Sequence, residues 1–214
     1  MNTLVVYAHP SSTSFNAAIR DEVTQTLTEQ GHDVRIHDLY AMNFNPVLDA
    51  DDFASFGRSE VPEDVAAEQD AIRWADSLVF VYPVWWWDRP AILKGWVDRV
   101  IRYGFAFEYG PEGLKGLLNH KTLVIQTHGS TTQMYEAFDA QEAPRRTMMN
   151  GTLKFAGIED ATYQAFYGVA TSDEAQRQAW LQEVREAVQA LAAGEVVGNA
   201  VLTESAAANV TASV

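Results

Sequence analysis

The chain has 214 residues, of which 47 % are hydrophobic, and this is enough for one domain with a full core. It contains no cysteine, which excludes disulfides, thiolate metal sites and a cysteine nucleophile, so any redox chemistry requires a bound cofactor. The formal net charge of −14 opposes binding to nucleic acids and to anionic membrane surfaces. Because the N-terminus lacks a basic flank and no segment has the roughly 20 apolar residues of a membrane span, we expect a soluble, cytoplasmic protein.

Short apolar runs alternate with amphipathic stretches along most of the chain. The hydrophobic pattern predicts five strands, at residues 3–8, 33–38, 77–82, 121–127 and 161–167. It predicts helices at residues 16–30, 62–75, 90–103 and 172–193, and a helical stretch that ends near Ala156, before Gly157. Residues 39–62 and 104–119 are expected to be long connections. The alternation predicts an α/β fold with a doubly wound, five-stranded parallel sheet in the flavodoxin-like order 2-1-3-4-5.

The domain organisation follows from the same pattern. Residues 1–193 are predicted to form one domain. The tail at residues 194–214 is rich in Ala, Val, Ser and Thr and has few charges. We expect its last ten or so residues to be disordered, or the tail to form an arm that crosses a second subunit.

Three consecutive tryptophans, at residues 85–87, follow the third predicted strand and precede a helix that begins at Pro90. In an open α/β sheet, ligands bind beyond the carboxyl ends of the strands, and large flat side chains there favour a planar aromatic ligand. The alternative is that these rings pack under helices or in a subunit interface. The adjacent Asp88 and Arg89 either steer a charged ligand or form a solvent-facing pair without consequence, and we favour the solvent-facing pair.

The loop after the first predicted strand carries His9 and four hydroxyl residues, at positions 11–14, and leads directly into a helix. Free amide groups and the helix dipole attract anions there, and the hydroxyl groups add neutral donors, so even an acidic protein can hold a phosphorylated cofactor. The same residues also suit an ordinary helix N-cap. The absence of a Gly-x-Gly-x-x-Gly or Walker motif argues against Rossmann-type NAD binding and ATP hydrolysis.

Several motifs occur together from the first strand to about Tyr167. They are Tyr7-Ala8-His9-Pro10, Thr13-Ser14-Phe15-Asn16, Tyr82-Pro83, Pro90-Ala91-Ile92-Leu93-Lys94-Gly95-Trp96, Gly104-Phe105-Ala106-Phe107, Met134-Tyr135 and Gly151-Thr152-Leu153-Lys154-Phe155-Ala156-Gly157. This combination resembles the NAD(P)H:quinone oxidoreductase family, which has a flavodoxin-like fold, and in particular its shorter bacterial members.

The resemblance implies a flavin at the carboxyl edge of the sheet, across a homodimer interface. The flavin is FMN or, alternatively, FAD, and a hydride passes from NAD(P)H to the flavin and then to a quinone or related electrophilic acceptor in a ping-pong cycle. The cofactor-binding residues implied by the resemblance are His9, Thr13, Ser14, Phe15, Asn16, Pro83, Val84, Trp85, Trp86, Trp87, Thr127, His128, Gly129 and Ser130.

One departure from the family concerns proton handling. Longer members carry a tyrosine and, six residues later, a histidine over the substrate site, whereas this chain has Tyr135 and Gln141. The second flavin loop of the family usually reads Thr-Thr-Gly-Gly, and here its second position is His128. Tyr135 and His128 are therefore the candidate catalytic residues, with His128 replacing the absent imidazole. The alternative is that His128 is a solvated loop histidine.

The other histidines do not indicate a metal site. His32, His37 and His120 do not cluster with carboxylates at metal-ligand spacings, so no metal is predicted. Two other functions remain open at this stage: a flavodoxin-type electron carrier, and a regulatory flavoprotein subunit of a membrane transporter.

Overall fold

The structure, a computed structural model, describes residues 1–56 and 61–195 and the backbone of one further strand. The strands are β1 (Asn2–Tyr7), β2 (Asp33–Asp38), β3 (Ser77–Val84), β4 (Phe107–Gly110), β5 (Gly113–Gly116), β6 (Lys121–His128), β7 (Ala161–Tyr167) and β8 (Leu202–Glu204). The α-helices are α1 (Phe15–Glu29), α2 (Ala50–Ala54), α3 (Glu63–Trp74), α4 (Ala91–Val100), α5 (Thr132–Ala137), α6 (Ala143–Met148) and α7 (Glu174–Ala193). A π-helical turn (Met149–Lys154) follows α6, and a 3-10 turn (Val169–Thr171) follows β7.

Six parallel strands form the main sheet, in the order β2-β1-β3-β6-β7-β8. The first five are the predicted strands in the predicted order, so the flavodoxin-like arrangement is confirmed. The sixth, β8, pairs with β7 and lies in the tail, and it adds a strand that the sequence pattern did not predict. Residues 205–214, for which we expect disorder, lie outside the described residues.

Both faces of the sheet are buried, because successive side chains of a strand point to opposite faces. On one face Val5, Val79 and Ile125 pack with apolar residues of α1 and α7. On the other face Leu4 and Phe80 pack with the apolar side of α4 and with α3. This double burial explains why the central strands are continuous apolar runs rather than alternating ones.

Two predicted connections contain regular structure. Residues 104–119, predicted to be a loop, include the antiparallel hairpin of β4 and β5, and Phe107 of this hairpin packs against Phe155 with ring centroids 4.9 Å apart. The frequent glycines of this segment favoured the prediction of a loop, but Gly113, with φ of 100°, begins β5 directly after the tight turn of the hairpin. Residues 39–62 contain the five-residue helix α2.

The helical stretch after β6 is broken into α5, α6 and the π-helical turn, rather than continuous. It ends before Gly157, as predicted, and the φ of 99° at Gly157 is one that glycine adopts readily. Within the part of the chain that the structure describes, no helix has the length and apolar character needed to span a membrane. The carboxyl ends of β1, β3, β6 and β7 lie at one edge of the sheet, where the candidate site is found.

Candidate functional site

A cavity of about 700 Å³ opens at the carboxyl edge of the sheet, between the loops that follow β1, β3, β6 and β7. This volume lies within the range of small-molecule sites, which is about 300–1,000 Å³. Its lining includes the predicted residues His9, Thr13, Ser14, Phe15, Asn16, Pro83, Val84, Trp85, Trp86, Trp87, Thr127, Gly129, Ser130 and Tyr135. Of the predicted site residues, only His128 does not line the cavity.

The β1 loop and the start of α1 form one end of the cavity. Ser14 caps α1, with its hydroxyl oxygen 3.1 Å from the amide nitrogen of Ala17, so the N-cap interpretation is confirmed. The helix itself supplies no acceptor for the amide groups of Phe15 and Asn16, which belong to its first turn. The side-chain nitrogen of Asn16 donates to the hydroxyl of Thr127 over 2.7 Å, and this bond joins the start of α1 to the end of β6.

The tryptophans form a tight turn on a second side of the cavity. Trp85 and Asp88 pair through two backbone hydrogen bonds of 2.8 and 3.2 Å, so Trp86 and Trp87 are the two central residues. Their φ angles are 51° and 65°, as in a type I′ turn, where Asn-Gly is the usual pair. Bulky residues seldom adopt this conformation, and it costs free energy. Trp86 remains 94 % exposed, so packing against the core is not what holds its ring there.

Arg89 connects this turn to the helical segment that precedes β7. Its side chain is 4 % exposed, and it donates hydrogen bonds to the Thr152 hydroxyl over 2.9 Å and to the Asp88 carboxylate over 3.3 Å. Asp88 also accepts from the hydroxyl of Thr147, in α6. The expectation of a solvent-facing Asp88–Arg89 pair is therefore wrong, because Arg89 is directed into the protein and joins the turn to the helical segment around residue 150.

Tyr135 and His128 form a contact pair beside the tryptophan turn. The ring of Tyr135 meets that of Trp87 edge to face at 4.6 Å, and its hydroxyl oxygen lies 2.7 Å from His128 Nδ1. His128 is fully buried and stacks on Tyr167 with ring centroids 4.1 Å apart. It lies behind Tyr135 rather than in the cavity, and the alternative of a solvated loop histidine is wrong. Gln141 is not among the lining residues.

Burial determines the charge of this pair. It lowers the pKa of His128 to about 3, so the imidazole is neutral at physiological pH. Burial also raises the pKa of the Tyr135 hydroxyl well above its usual value, so this group keeps its proton. Neither side chain carries a charge at the cavity wall.

Arg177 supplies the positive charge of the cavity. Among the described residues that line it, none is acidic and Arg177 is the one permanent cation, although the protein is strongly acidic. Its guanidinium donates to the Ser172 hydroxyl over 3.0 Å and to the Val169 carbonyl over 3.3 Å. Burial lowers the pKa of His9, also in the lining, which keeps that ring neutral. The cavity therefore favours an anionic ligand.

Three further lining residues, Arg177, Val169 and Ala170, were not predicted from the sequence. All three follow the last predicted strand, and the rule that ligands bind beyond the carboxyl ends of the strands could have drawn attention to this segment. Arg177 lies in the first turns of a helix and belongs to no spacing motif, so nothing local distinguishes it from other helix arginines. The residues that the structure describes contain no group of three or more His, Asp or Glu that could hold a metal ion.

Comparison with known proteins agrees with this architecture. The profile of the Flavodoxin_2 family, described as a flavodoxin-like fold, matches residues 1–191. The chain belongs to this family. A relative from Haemophilus influenzae, named an uncharacterized NAD(P)H oxidoreductase, is 36 % identical over 192 residues, which cover 89 % of this chain and 95 % of the relative.

Two solved structures extend the comparison for this Flavodoxin_2 member. An NAD(P)H:quinone oxidoreductase from Methanothermobacter marburgensis is 34 % identical, with a TM-score of 0.80 and coverage of 90 % of this chain and 97 % of that one. General stress protein 14 from Treponema denticola, solved in complex with FMN, is 26 % identical, with a TM-score of 0.59 and coverage of 90 % and 99 %.

The cavity of this Flavodoxin_2 member combines three chemical features. Amide and hydroxyl donors lie at one end, aromatic rings form a wall, and a cation lies at the rim. Together they suit a ligand that carries both a planar ring and an anionic group.

Proposed function

We propose that this protein is a flavin-dependent NAD(P)H oxidoreductase that reduces quinones or related electrophilic acceptors. The observation that carries the proposal is the pairing, in one cavity, of the α1 N-terminus and Arg177 with the aromatic wall at residues 85–87. The relative from H. influenzae and the quinone oxidoreductase from M. marburgensis support this activity. We further propose a cytoplasmic location, because the proposed activity depends on NAD(P)H as its electron donor.

The residues present fit a flavin nucleotide. Phosphate requires several donors without competing carboxylates, and the cavity provides Thr13, two first-turn amides and Arg177 with no acidic residue among its described lining. The side-chain oxygen of Asn16 is buried and has no hydrogen-bond partner within the described part of the chain. We propose FMN because a neighbouring structure contains it, with FAD as the alternative.

The protein groups have distinct tasks in this proposal. A flavin held here would supply hydride transfer from NAD(P)H to the electron acceptor, and a quinone that gains a hydride and one proton becomes a hydroquinone. The loops at residues 83–87 and 127–130 would hold the edge of the ring system, and Trp86 and Trp87 would cover it and exclude water. Tyr135, which stays protonated, would donate a hydrogen bond to an acceptor oxygen.

We also propose that the cavity lies at an interface between two copies of the chain. Trp86 and Phe138 are 94 % and 65 % exposed, and Phe138 contacts Trp87 at a ring distance of 5.7 Å. Exposed aromatic rings grouped beside a binding site are typical of a surface that a partner covers. Sedimentation equilibrium tests this directly, since replacing Phe138 by Asp should shift a dimer toward monomer, whereas a monomeric wild type would contradict the proposal.

Anaerobic reduction tests the activity. The purified protein is denatured to identify its flavin, and the absorbance of the native protein is followed on addition of NADPH, NADH and then a quinone. We expect one nucleotide to bleach the oxidised-flavin band and the quinone to restore it. A bound flavin that neither nucleotide reduces would favour an electron carrier or a regulatory subunit instead.

A matched pair of arginine variants tests the anionic end of the site. Replacing Arg177 by Met should weaken FMN binding by about tenfold to a hundredfold, because a charge-assisted hydrogen bond contributes about 1.5–3 kcal/mol. Arg185 lies on the same helix and pairs with Glu22 and Glu29 instead, so the Arg185→Met variant is the control and should bind FMN as the wild type does. Equal dissociation constants for both variants would exclude Arg177 as a phosphate ligand.

A further inference from the structure

His128 is separated from the cavity by a single side chain. It is fully buried, its Nδ1 lies 2.7 Å from the hydroxyl oxygen of Tyr135, and Tyr135 lines the cavity. Tyr167 stacks on the imidazole with an interplanar angle of 15°, which fixes the plane of the ring. His128 can therefore influence a ligand through Tyr135, and the direction of their shared hydrogen bond decides how.

The second ring nitrogen identifies this direction. His128 Nε2 is buried and has no hydrogen-bond partner among the residues that the structure describes. A neutral imidazole carries one proton, on either Nδ1 or Nε2. A proton on Nε2 would leave a buried N–H donor without an acceptor, whereas a proton on Nδ1 leaves only an unused lone pair. Buried donors without partners are the rarer of the two cases.

We infer that His128 carries its proton on Nδ1 and donates a hydrogen bond from Nδ1–H to the Tyr135 oxygen. The hydroxyl proton of Tyr135 is then available for a hydrogen-bond acceptor in the cavity. The inference deepens the proposed function, on which it rests for the identity of that acceptor. This hydrogen-bond acceptor is the carbonyl oxygen of a planar ligand, such as a quinone or a flavin ring. His128 is then a positioning residue, and Tyr135 is the group that touches the ligand.

The opposite direction would have a different consequence. If Tyr135 donated to His128, its proton would be directed into the protein, and its oxygen could offer only lone pairs to the cavity. A carbonyl ligand would then meet an acceptor instead of a donor. Because a hydroxyl that accepts one hydrogen bond becomes a better donor for a second, the inferred direction also strengthens the contact from Tyr135 to the ligand.

Nitrogen-15 NMR tests the direction without depending on catalysis. The purified protein, labelled on its histidines, gives two ring-nitrogen signals for His128, which are assigned by their absence from the His128→Asn variant. We expect the Nδ1 signal to be of the protonated type and the Nε2 signal to be of the unprotonated type. The reverse assignment would overturn the inference even if the protein proves to be a quinone reductase.

Steady-state kinetics then tests the consequence for the ligand. His128→Leu removes the donor, and we expect kcat with a quinone to fall roughly tenfold or more with little change in the KM for the nicotinamide. His128→Asn places an amide N–H near the position of Nδ1 and should restore most of the lost turnover. If both variants lose activity equally while the folded protein retains its melting temperature, donation to Tyr135 is not the function of His128.

A double-mutant cycle separates positioning from general damage. In the Tyr135→Phe background there is no hydroxyl to position, so His128→Leu should cause no further loss of kcat. A further tenfold loss would contradict the inference. If the wild type shows no NAD(P)H turnover at all, the proposed function fails, while the NMR result still decides the direction of the hydrogen bond.

Discussion

The guanidinium of Arg89 donates a hydrogen bond of 2.9 Å to the hydroxyl of Thr152, and this bond joins the tryptophan turn to the π-helical turn at Met149–Lys154. The Thr152 hydroxyl in turn donates to the Thr147 carbonyl over 3.0 Å. Turns of π-helix are rare and are found frequently at functional sites. Here the π-helical turn presents Thr152 to Arg89, so its irregular geometry supports the wall of the cavity from outside.

The Arg89–Thr152 bond should contribute measurably to stability. Thr152→Val keeps the shape of the side chain but leaves the buried guanidinium without one acceptor, and we expect the free energy of unfolding to fall by about 2 kcal/mol. Thr152→Ser keeps the hydroxyl and should cost less than about 1 kcal/mol. Urea unfolding of the three proteins measures the difference. A loss in the Val variant no larger than that in the Ser variant would mean that the hydroxyl of Thr152 contributes no more to stability than its methyl group does.

Backbone strain in the tryptophan turn predicts an unusual order of stabilities. At Trp86, with φ of 51°, glycine is free of steric penalty whereas alanine is not. We expect the Trp86→Gly variant to be more stable than Trp86→Ala by about 1 kcal/mol. Both variants lose the indole equally, so thermal unfolding of the flavin-free proteins isolates the backbone effect. If Trp86→Ala were the more stable, the turn would not be strained at this position.

Both Trp86 variants should also retain less flavin than the wild type, since the proposed ring contact is gone. The flavin-to-protein ratio after gel filtration measures this loss. Unchanged occupancy would remove Trp86 from the proposed cofactor site without affecting the prediction on strain.

The buried imidazole of His128 should make stability depend on pH. Its pKa is about 3 in the folded protein, compared with 6.5 for an unperturbed histidine, so between these values the unfolded chain binds a proton that the folded protein does not. The contribution is complete above pH 6.5 and decreases toward pH 3 by up to about 1.4 kcal/mol per pH unit. The titratable rings packed against His128, Tyr135 and Tyr167, have raised pKa values and stay neutral in this window.

The His128→Asn variant isolates this contribution, because asparagine does not titrate. We expect the free-energy difference between wild type and variant to change across pH 6.5 to 3, in favour of the variant as the pH falls. Urea unfolding at a series of pH values in both proteins provides the measurement. A constant difference would show that His128 is not a buried neutral group.

Gly95 on α4 should not tolerate a side chain. A Cβ atom there would overlap the backbone of Pro46, from the long connection between β2 and α3. Alanine favours a helix by about 1 kcal/mol over glycine, but we expect the overlap to dominate and Gly95→Ala to lower the free energy of unfolding by about 2 kcal/mol or more. Gly110→Ala is the control, since a Cβ atom there has open space. If Gly95→Ala were as stable as that control, the connection would not be packed tightly on α4.

Much of the fold could be predicted because the determining signal is local. The bounds of β2 and β7 agree with the predicted ranges, since the turn residues and the hydrophobic pattern that set these bounds are properties of the segments themselves. The orientation of His128 could not be predicted in this way. The predicted strand ended at residue 127, but β6 continues by one residue that pairs with Val84, and this extension directs His128 into the core instead of the loop.

The environment of Arg89 depends on distant residues. An arginine beside an aspartate in a polar loop is usually exposed, and only the arrival of Thr152, 63 residues later, provides a buried acceptor. Arg177 likewise reaches the cavity because β7 brings its helix to the carboxyl edge of the sheet, where the cavity lies. The loops of the cavity were therefore predictable from sequence, whereas the polar partners contributed by distant segments were not.

The positive φ angles of Trp86 and Trp87 imply a trade-off between stability and activity. A chain selected for resistance to heat alone would replace these residues by Asn-Gly, which suits the turn without strain and exposes no indole to water. Such a protein would keep its sheet and its cap at α1 but would have lost a wall of its cavity. Screens that improve the thermal tolerance of this protein should therefore assay turnover at every round. Substitutions at Trp86 and Trp87 would raise stability most simply, but they would remove a wall of the cavity.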